Sequence, residues 1–200
     1  MLSTPQLVAV LALATGLLAL SARRLGILGL LIQFLLRTFL LMPLLLSPVL
    51  YAQLALGLAS TLILYITAAS QARVQHSRPR RTIDPLVRMG GLYGLLCVAL
   101  AGFVALGIYS AFPLPGLPSA TSLTCYWLVL SGLLLITIEG SVLGQGLAAL
   151  TALNGFEVAF LHLDAGLLMV GLLSLLELGL VLVIVVLSDQ QLQSNRTELG

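Results

Sequence analysis

Residues 138–187 read IEGSVLGQGLAALTALNGFEVAFLHLDAGLLMVGLLSLLELGLVLVIVVL. The stretch is apolar enough to sit in lipid, yet it carries Glu139, Glu157, Asp164 and Glu177, four of the seven acidic residues of the chain. An ionised carboxylate at the centre of a bilayer costs about 2.5–3.5 kcal/mol on insertion scales. An acid held in such a place is therefore a functional candidate by default, most often as a carrier of protons or ions.

The rest of the sequence is of the same kind. Of 200 residues, 60% are hydrophobic and 8% charged, with a mean hydropathy of +1.13. A soluble domain carries about 25% charged residues, and so few charges cannot cover so much apolar surface in water. Lipid is then the solvent, and each spanning segment must close its own backbone hydrogen bonds. Leucine-rich runs without apolar and polar alternation point to helices rather than a barrel. The expected fold class is all-α, a polytopic membrane protein of about seven transmembrane helices.

Seven apolar segments stand near the ~20 residues a spanning helix needs: 4–21, 25–46, 49–70, 87–111, 122–143, 146–162 and 166–187. The first lacks a basic flank before it and has Arg23 and Arg24 after it, which reads as a retained helix rather than a signal peptide. Pro43 is expected to kink or shorten the second, because proline removes a donor and clashes with the preceding turn. Residues 71–86, QARVQHSRPRRTIDPL, read as one long polar loop. Residues 112–121 read as a proline-rich external loop and 188–200 as a polar, frayed cytoplasmic tail. The domain boundaries are therefore 1–111 for an N-terminal four-helix membrane segment and 122–187 for a three-helix unit.

All nine basic residues are arginines. With seven spans, those at 23–24, 73–88 and 196 fall on one side. The positive-inside rule then puts that side in the cytoplasm and the N-terminus outside. An arginine run beside a membrane span reads as a topology signal or a lipid headgroup contact, and no nucleic-acid partner is expected. Cys97 and Cys125 are too few for a disulfide framework. No cysteine cluster suits iron–sulfur and no histidine pair suits haem, so no cofactor, no metal and no catalytic centre of its own is expected.

Among the acids, Glu177 lies deep in the seventh segment, and Glu157 follows Asn154-Gly155 in the sixth. Burial disfavours an ionised carboxyl, which lets such a group exchange protons near neutral pH. Glu157 and Glu177, on adjacent antiparallel helices, are expected to form two stations of a relay, or else to hold helices together as neutral acids. Glu139, among glycines that include the Gly140-x-x-x-Gly144 spacing, stands at the cytoplasmic end of the fifth segment as a possible mouth. His162 and Asp164 stand at the outer end of the sixth. Arg37 keeps its charge and needs a partner in the membrane, and Gln33 lies one turn earlier on the same face.

These residues carry a resemblance. The C-terminal half resembles the small K-type membrane subunit of complex I (NuoK), and the whole chain is similar to component E of hydrogenase-4-type complexes (HyfE). The resemblance rests on SARRL at 21–25 with Gln33 inside the second helix, and on I-x-x-E-x-S-V-L-x-Q at 136–145 leading to Asn154-Gly155. It implies that the last three helices form a NuoK-like unit. It also implies proton or Na+ translocation with Glu177 and Glu157 as carriers, Asn154 beside them and Glu139 near the cytoplasmic side. The implied partners are large antiporter-like membrane subunits and other small membrane subunits. The implied location is the inner (plasma) membrane or an energy-converting internal membrane. The sequence departs from the family pattern at Leu153, where the family carries an acid, and in having no lysine, a charge that Arg37 would replace. Two further readings stay open: a structural membrane subunit with no ion path, and a stand-alone secondary transporter, for which an internal repeat is lacking.

Overall fold

The leucine-rich runs fold as helices throughout. A computed structural model describes residues 4–20, 23–76, 85–164 and 166–197. These residues form α1 (Thr4–Ala19), α2 (Arg23–Leu41), α3 (Ser47–His76), α4 (Pro85–Ala111), α5 (Ser119–Ile138), α6 (Val142–Leu163) and α7 (Leu167–Thr197), with no strand among them. Five helices contain stretches long and apolar enough to cross a membrane: Pro48–Gln71, Leu92–Ala111, Ser119–Ile138, Val142–Leu163 and Leu167–Gln191. The apolar parts of the first two helices, Pro5–Ala19 and Leu25–Leu41, are shorter. Large apolar side chains such as Leu92, Phe103, Leu168 and Leu175 stand outward, a surface suited to lipid rather than water. The chain is a helical membrane protein.

Local chemistry sets the helix ends. Pro43 has no N–H and crowds the preceding turn, so α2 stops at Leu41 and a tight turn leads into α3. Pro48 sits in the first turn of α3, where a missing N–H is no loss. The connection 112–118 turns at Gly116, with φ +80°, a conformation glycine adopts without steric cost. It is tied down by Tyr126 Oη donating to the Phe112 carbonyl at 2.9 Å, and by the Leu114 N–H donating to Ser122 Oγ at 3.2 Å. Ser141 caps α6 by accepting from the Gly144 N–H at 3.1 Å, as an N-cap serine does. Asp164 ends α6 and accepts from the Gly166 N–H at 2.9 Å.

Several expected boundaries move. The polar loop over 71–86 is shorter than its composition suggests, since α3 continues to His76 and α4 begins at Pro85. Residues 77–84 of that loop, with Arg78, Arg80 and Arg81, lie outside the described residues. The C-terminal segment is not frayed from 188: α7 continues to Thr197. Its Asp189 and Gln193, one turn apart, are bonded at 3.0 Å, a spacing that supports a helix.

The packing forms two groups of helices that share α2 and α6. On one side α2, α3, α7 and α6 close a ring: α2 against α3, α3 against α7, α7 against α6 and α6 against α2. On the other, α1, α4 and α5 pack on one another and on the shared pair. The α5–α6 pairing is tight because both helices offer glycine where they cross. A Cβ on Gly132 would come 2.5 Å from the Ala152 nitrogen, and one on Gly155 would come 2.9 Å from the Val129 nitrogen. Small residues of this kind let backbones approach in lipid. The Gly140/Gly144 pair does not serve this purpose. Gly140 faces open space, and Gly144 faces the carboxylate of Glu139. Helix α6 also runs unbroken through Asn154-Gly155, so that glycine serves packing rather than a helix break.

Candidate functional site

Helix α2 has a one-sided pattern around its last two turns. Gln33, Phe34 and Arg37 are buried, while Leu35 and Phe39 face outward. The i, i+4 spacing places Gln33 and Arg37 one above the other, aimed into the ring of α2, α3, α6 and α7. Arg37 is only 2% exposed and is the largest fully buried side chain among the described residues. A guanidinium does not lose its proton, so its charge must be met where it stands.

It is met by acids from two other helices. Arg37 Nη1 donates to Glu177 Oε2 at 3.0 Å and to Asn154 Oδ1 at 2.9 Å, and it forms an ion pair with Glu157 Oε2. Three acceptors thus converge on a nitrogen that carries two hydrogens. The Arg37 Cζ lies 4.9 Å from the centroid of the Phe34 ring, within range of a cation–π contact. From α3, the Ser60 hydroxyl donates to the other oxygen of Glu177, Oε1, at 3.3 Å. Each helix of the ring therefore contributes a polar group: Arg37 from α2, Ser60 from α3, Asn154 and Glu157 from α6, and Glu177 from α7.

Apolar layers close the cluster above and below. Leu41, Leu161, Val170 and Leu173 pack on one side. Leu30, Phe34, Leu64, Leu150 and Val181 belong to the core on the other. At a rise of 1.5 Å per residue, Glu177 lies about 15 Å along α7 from Leu167, and Ser60 about 18 Å along α3 from Pro48. The charges therefore stand deep in the apolar part of the molecule. One arginine faces two carboxylates, and a second positive charge is absent among the described neighbours. Two ionised acids would leave one negative charge uncompensated, a costly state in a low dielectric.

The cluster also holds polar atoms with no partner in the protein. Glu157 Oε1, Arg37 Nε, Asn154 Nδ2 and both amide atoms of Gln33 are buried and unbonded. Buried polar atoms are normally satisfied by protein or ordered water. Their concentration on neighbouring residues of α2 and α6 marks a place where ordered water has partners to use.

Of the residues singled out from the sequence, the structure brings together Arg37, Asn154, Glu157 and Glu177. It does so more closely than two separate stations, since both acids share one guanidinium nitrogen. Glu139 stays apart, in the turn that joins α5 to α6, half-buried, with Gln145 Nε2 donating to its carbonyl at 2.9 Å. Burial pushes its carboxyl above the usual carboxylate range. His162 bonds Thr121 at 3.3 Å and the Val158 carbonyl at 3.0 Å. Asp164 is exposed and caps a turn. Leu153, at the position where the family pattern carries an acid, lines an apolar cleft between α5, α6 and α7. Glu157, one turn later, turns inward to α2.

Sequence reasoning missed Ser60 and the part played by α3. A signal was present: Gln53, Ser60 and Thr67 recur every seven residues, which places them on one face of a helix. Among the described residues no group of three or more His, Cys, Asp or Glu side chains is placed to hold a metal ion. Compared with protein-family models, with curated proteins and with solved structures, the chain matches none.

Proposed function

We propose that the chain is a non-redox membrane subunit that carries protons, or Na+, through the Arg37–Glu157–Glu177 cluster. The assembly would be of the complex I-like or group 4 hydrogenase-like kind that the sequence resembles. The observation that carries this reading is the shared guanidinium: two buried carboxylates from different helices compete for one nitrogen of Arg37. A proton arriving on one acid weakens its hold on Arg37 and leaves the guanidinium to the other. Loading and release at one carboxyl are thereby felt at the second, and α2, α6 and α7 are all attached to the outcome. Asn154 keeps a neutral acceptor on Arg37 through the exchange. If α1 and α2 also cross, the chain has seven spans. The arginine distribution then supports an N-terminus outside and a C-terminus in the cytoplasm. Under this reading the last three helices are the NuoK-like unit, and α2 and α3 complete its charge site.

A purely structural role has an observation in its favour as well, because the ion pairs tie together the helices they come from. Buried ion pairs are weak evidence for stability but do fix which helices pack together. Purification of the tagged chain in mild detergent tests the subunit reading. Large antiporter-like membrane proteins are expected to accompany it, and a chain that emerges alone contradicts membership in such an assembly.

A further inference from the structure

Helices α3 and α7 lie side by side and run in the same direction. Ser60 meets Glu177, and Gln71 Nε2 donates to the Ser188 carbonyl at 3.4 Å, both across the same offset of 117 residues. One register therefore holds over the length of the seam. A cleft opens at each of its ends. The first, about 560 Å³, is lined by Gln53, Val170, Gly171 and Ser174, near the start of both helices. The second, about 500 Å³, is lined by Thr67, Ser70, Gln71, Asp189, Gln190 and Gln193, toward the end of both. The Ser60–Glu177 hydrogen bond lies between them.

The two sides differ in how they reach Glu177. Ser174, at the rim of the first cleft, precedes it by one turn of α7, so the distance from that cleft to the carboxyl is short, with Leu56 and Val170 lining the cleft beside it. On the other side the Ser188 hydroxyl is buried and unpartnered and Gln71 is only 4% exposed, so the polar lining penetrates the protein there. Between these residues and Glu177 stand Leu64, Val181 and Ile184, all buried. They form an apolar plug about two turns long.

We infer that the α3–α7 seam is the ion's route, with two half-paths that open at opposite ends and meet at Ser60–Glu177, the longer one closed by Leu64 and Val181. The inference rests on the ion-carrying role proposed above and names where the ion enters and leaves. It gives α3, a helix outside the three-helix unit, half of the path. No bond to carbon or redox step is involved: a proton leaves water in one cleft, resides on a carboxyl and returns to water in the other.

The test uses the assembled complex in proteoliposomes. Ser174→Cys and Gln71→Cys are each treated with a negatively charged methanethiosulfonate, and Ser110→Cys, exposed on α4, serves as the control. Labelling of either seam position is expected to abolish proton uptake, and labelling of S110C to leave it unchanged. Leu64→Ser is expected to let protons leak without turnover. Full labelling of S174C and Q71C with undiminished uptake, in a preparation where Glu177→Gln does not pump, overturns the route while leaving the role of Glu177 intact. Failure of the reagent to reach S174C overturns it equally. Undiminished pumping by E177Q removes the parent reading and the route together.

Discussion

Arg37 and Glu177 are 140 positions apart in the chain, and their side chains meet at 3.0 Å in its interior. That contact joins α2 to α7, in a region where both side chains are buried. The cost of an unpaired buried charge makes the meeting obligatory: each side chain is tolerable there only because the other is present. The fold around the site and the chemistry of the site are for this reason hard to separate, and the expectations that follow separate them one variant at a time.

Replacing Arg37 with leucine leaves two buried carboxyls without a cation. Removing one partner of a buried pair is expected to destabilise by about 3–5 kcal/mol. R37L should unfold at a clearly lower temperature than the parent in the same detergent, as read by a thermal shift of the tryptophan signal. Lysine at this position should recover part of the loss, since it restores charge without the planar fork.

Neutralising the whole cluster should behave differently. R37L combined with E157Q and E177Q removes both the charges and their mutual need. Replacing a complete buried ion group is often neutral or stabilising. The triple variant is expected to be closer to the parent in thermal stability than R37L alone, and still to carry no ions. A triple variant less stable than R37L would show that the charges contribute more than mutual compensation.

The α5–α6 crossing is set by two absent side chains. Gly132→Ala puts a methyl against the Ala152 backbone, and Gly155→Ala puts one against the Val129 backbone. Neither neighbour is a flexible side-chain end. Overpacking of this kind costs about 1–3 kcal/mol. Gly140→Ala, in open space, should be silent in the same unfolding assay.

Glu139 provides a pH-dependent expectation. Burial raises its carboxyl above the ordinary value in the folded protein. A group raised in this way costs stability when ionised, and the cost disappears as the pH falls below its unfolded value. Glu139→Gln should therefore be at least as stable as the parent at neutral pH, with the difference closing as the pH is lowered through the carboxylate range. Unfolding temperatures of the pair across that range measure this directly.

Much of the fold was legible because lipid imposes simple rules. Apolar runs of the right length had to be helices, and Pro43 had to end one. Helix ends were harder to read where polar sequence stays helical: α3 continues past Gln71 and α7 past Ser188, where Gln, Leu and Arg are good helix formers and Asp189 bonds Gln193 one turn on. The acids were legible from the mismatch between charge and surroundings, and Arg37 from its need for a partner. Which partner could not be read, because Arg37 meets residues 117 to 140 positions away and only packing decides that. The same is true of Ser60: serine in a membrane helix is ordinary, and its role follows only from α3 lying against α7. Of the Gly140-x-x-x-Gly144 spacing, Gly140 faces open space and Gly144 faces Glu139, whereas Gly132 and Gly155, on different helices, make the close contact.

The most direct test of the central claim is driven proton uptake by proteoliposomes that hold the assembled complex, with the parent beside E157Q and E177Q. Each preparation is first shown by size exclusion to contain the same subunits. Both variants are expected to assemble, to keep the driving reaction and to lose uptake. Assembly and uptake equal to the parent in both would contradict the account and leave the cluster as a structural tie between helices.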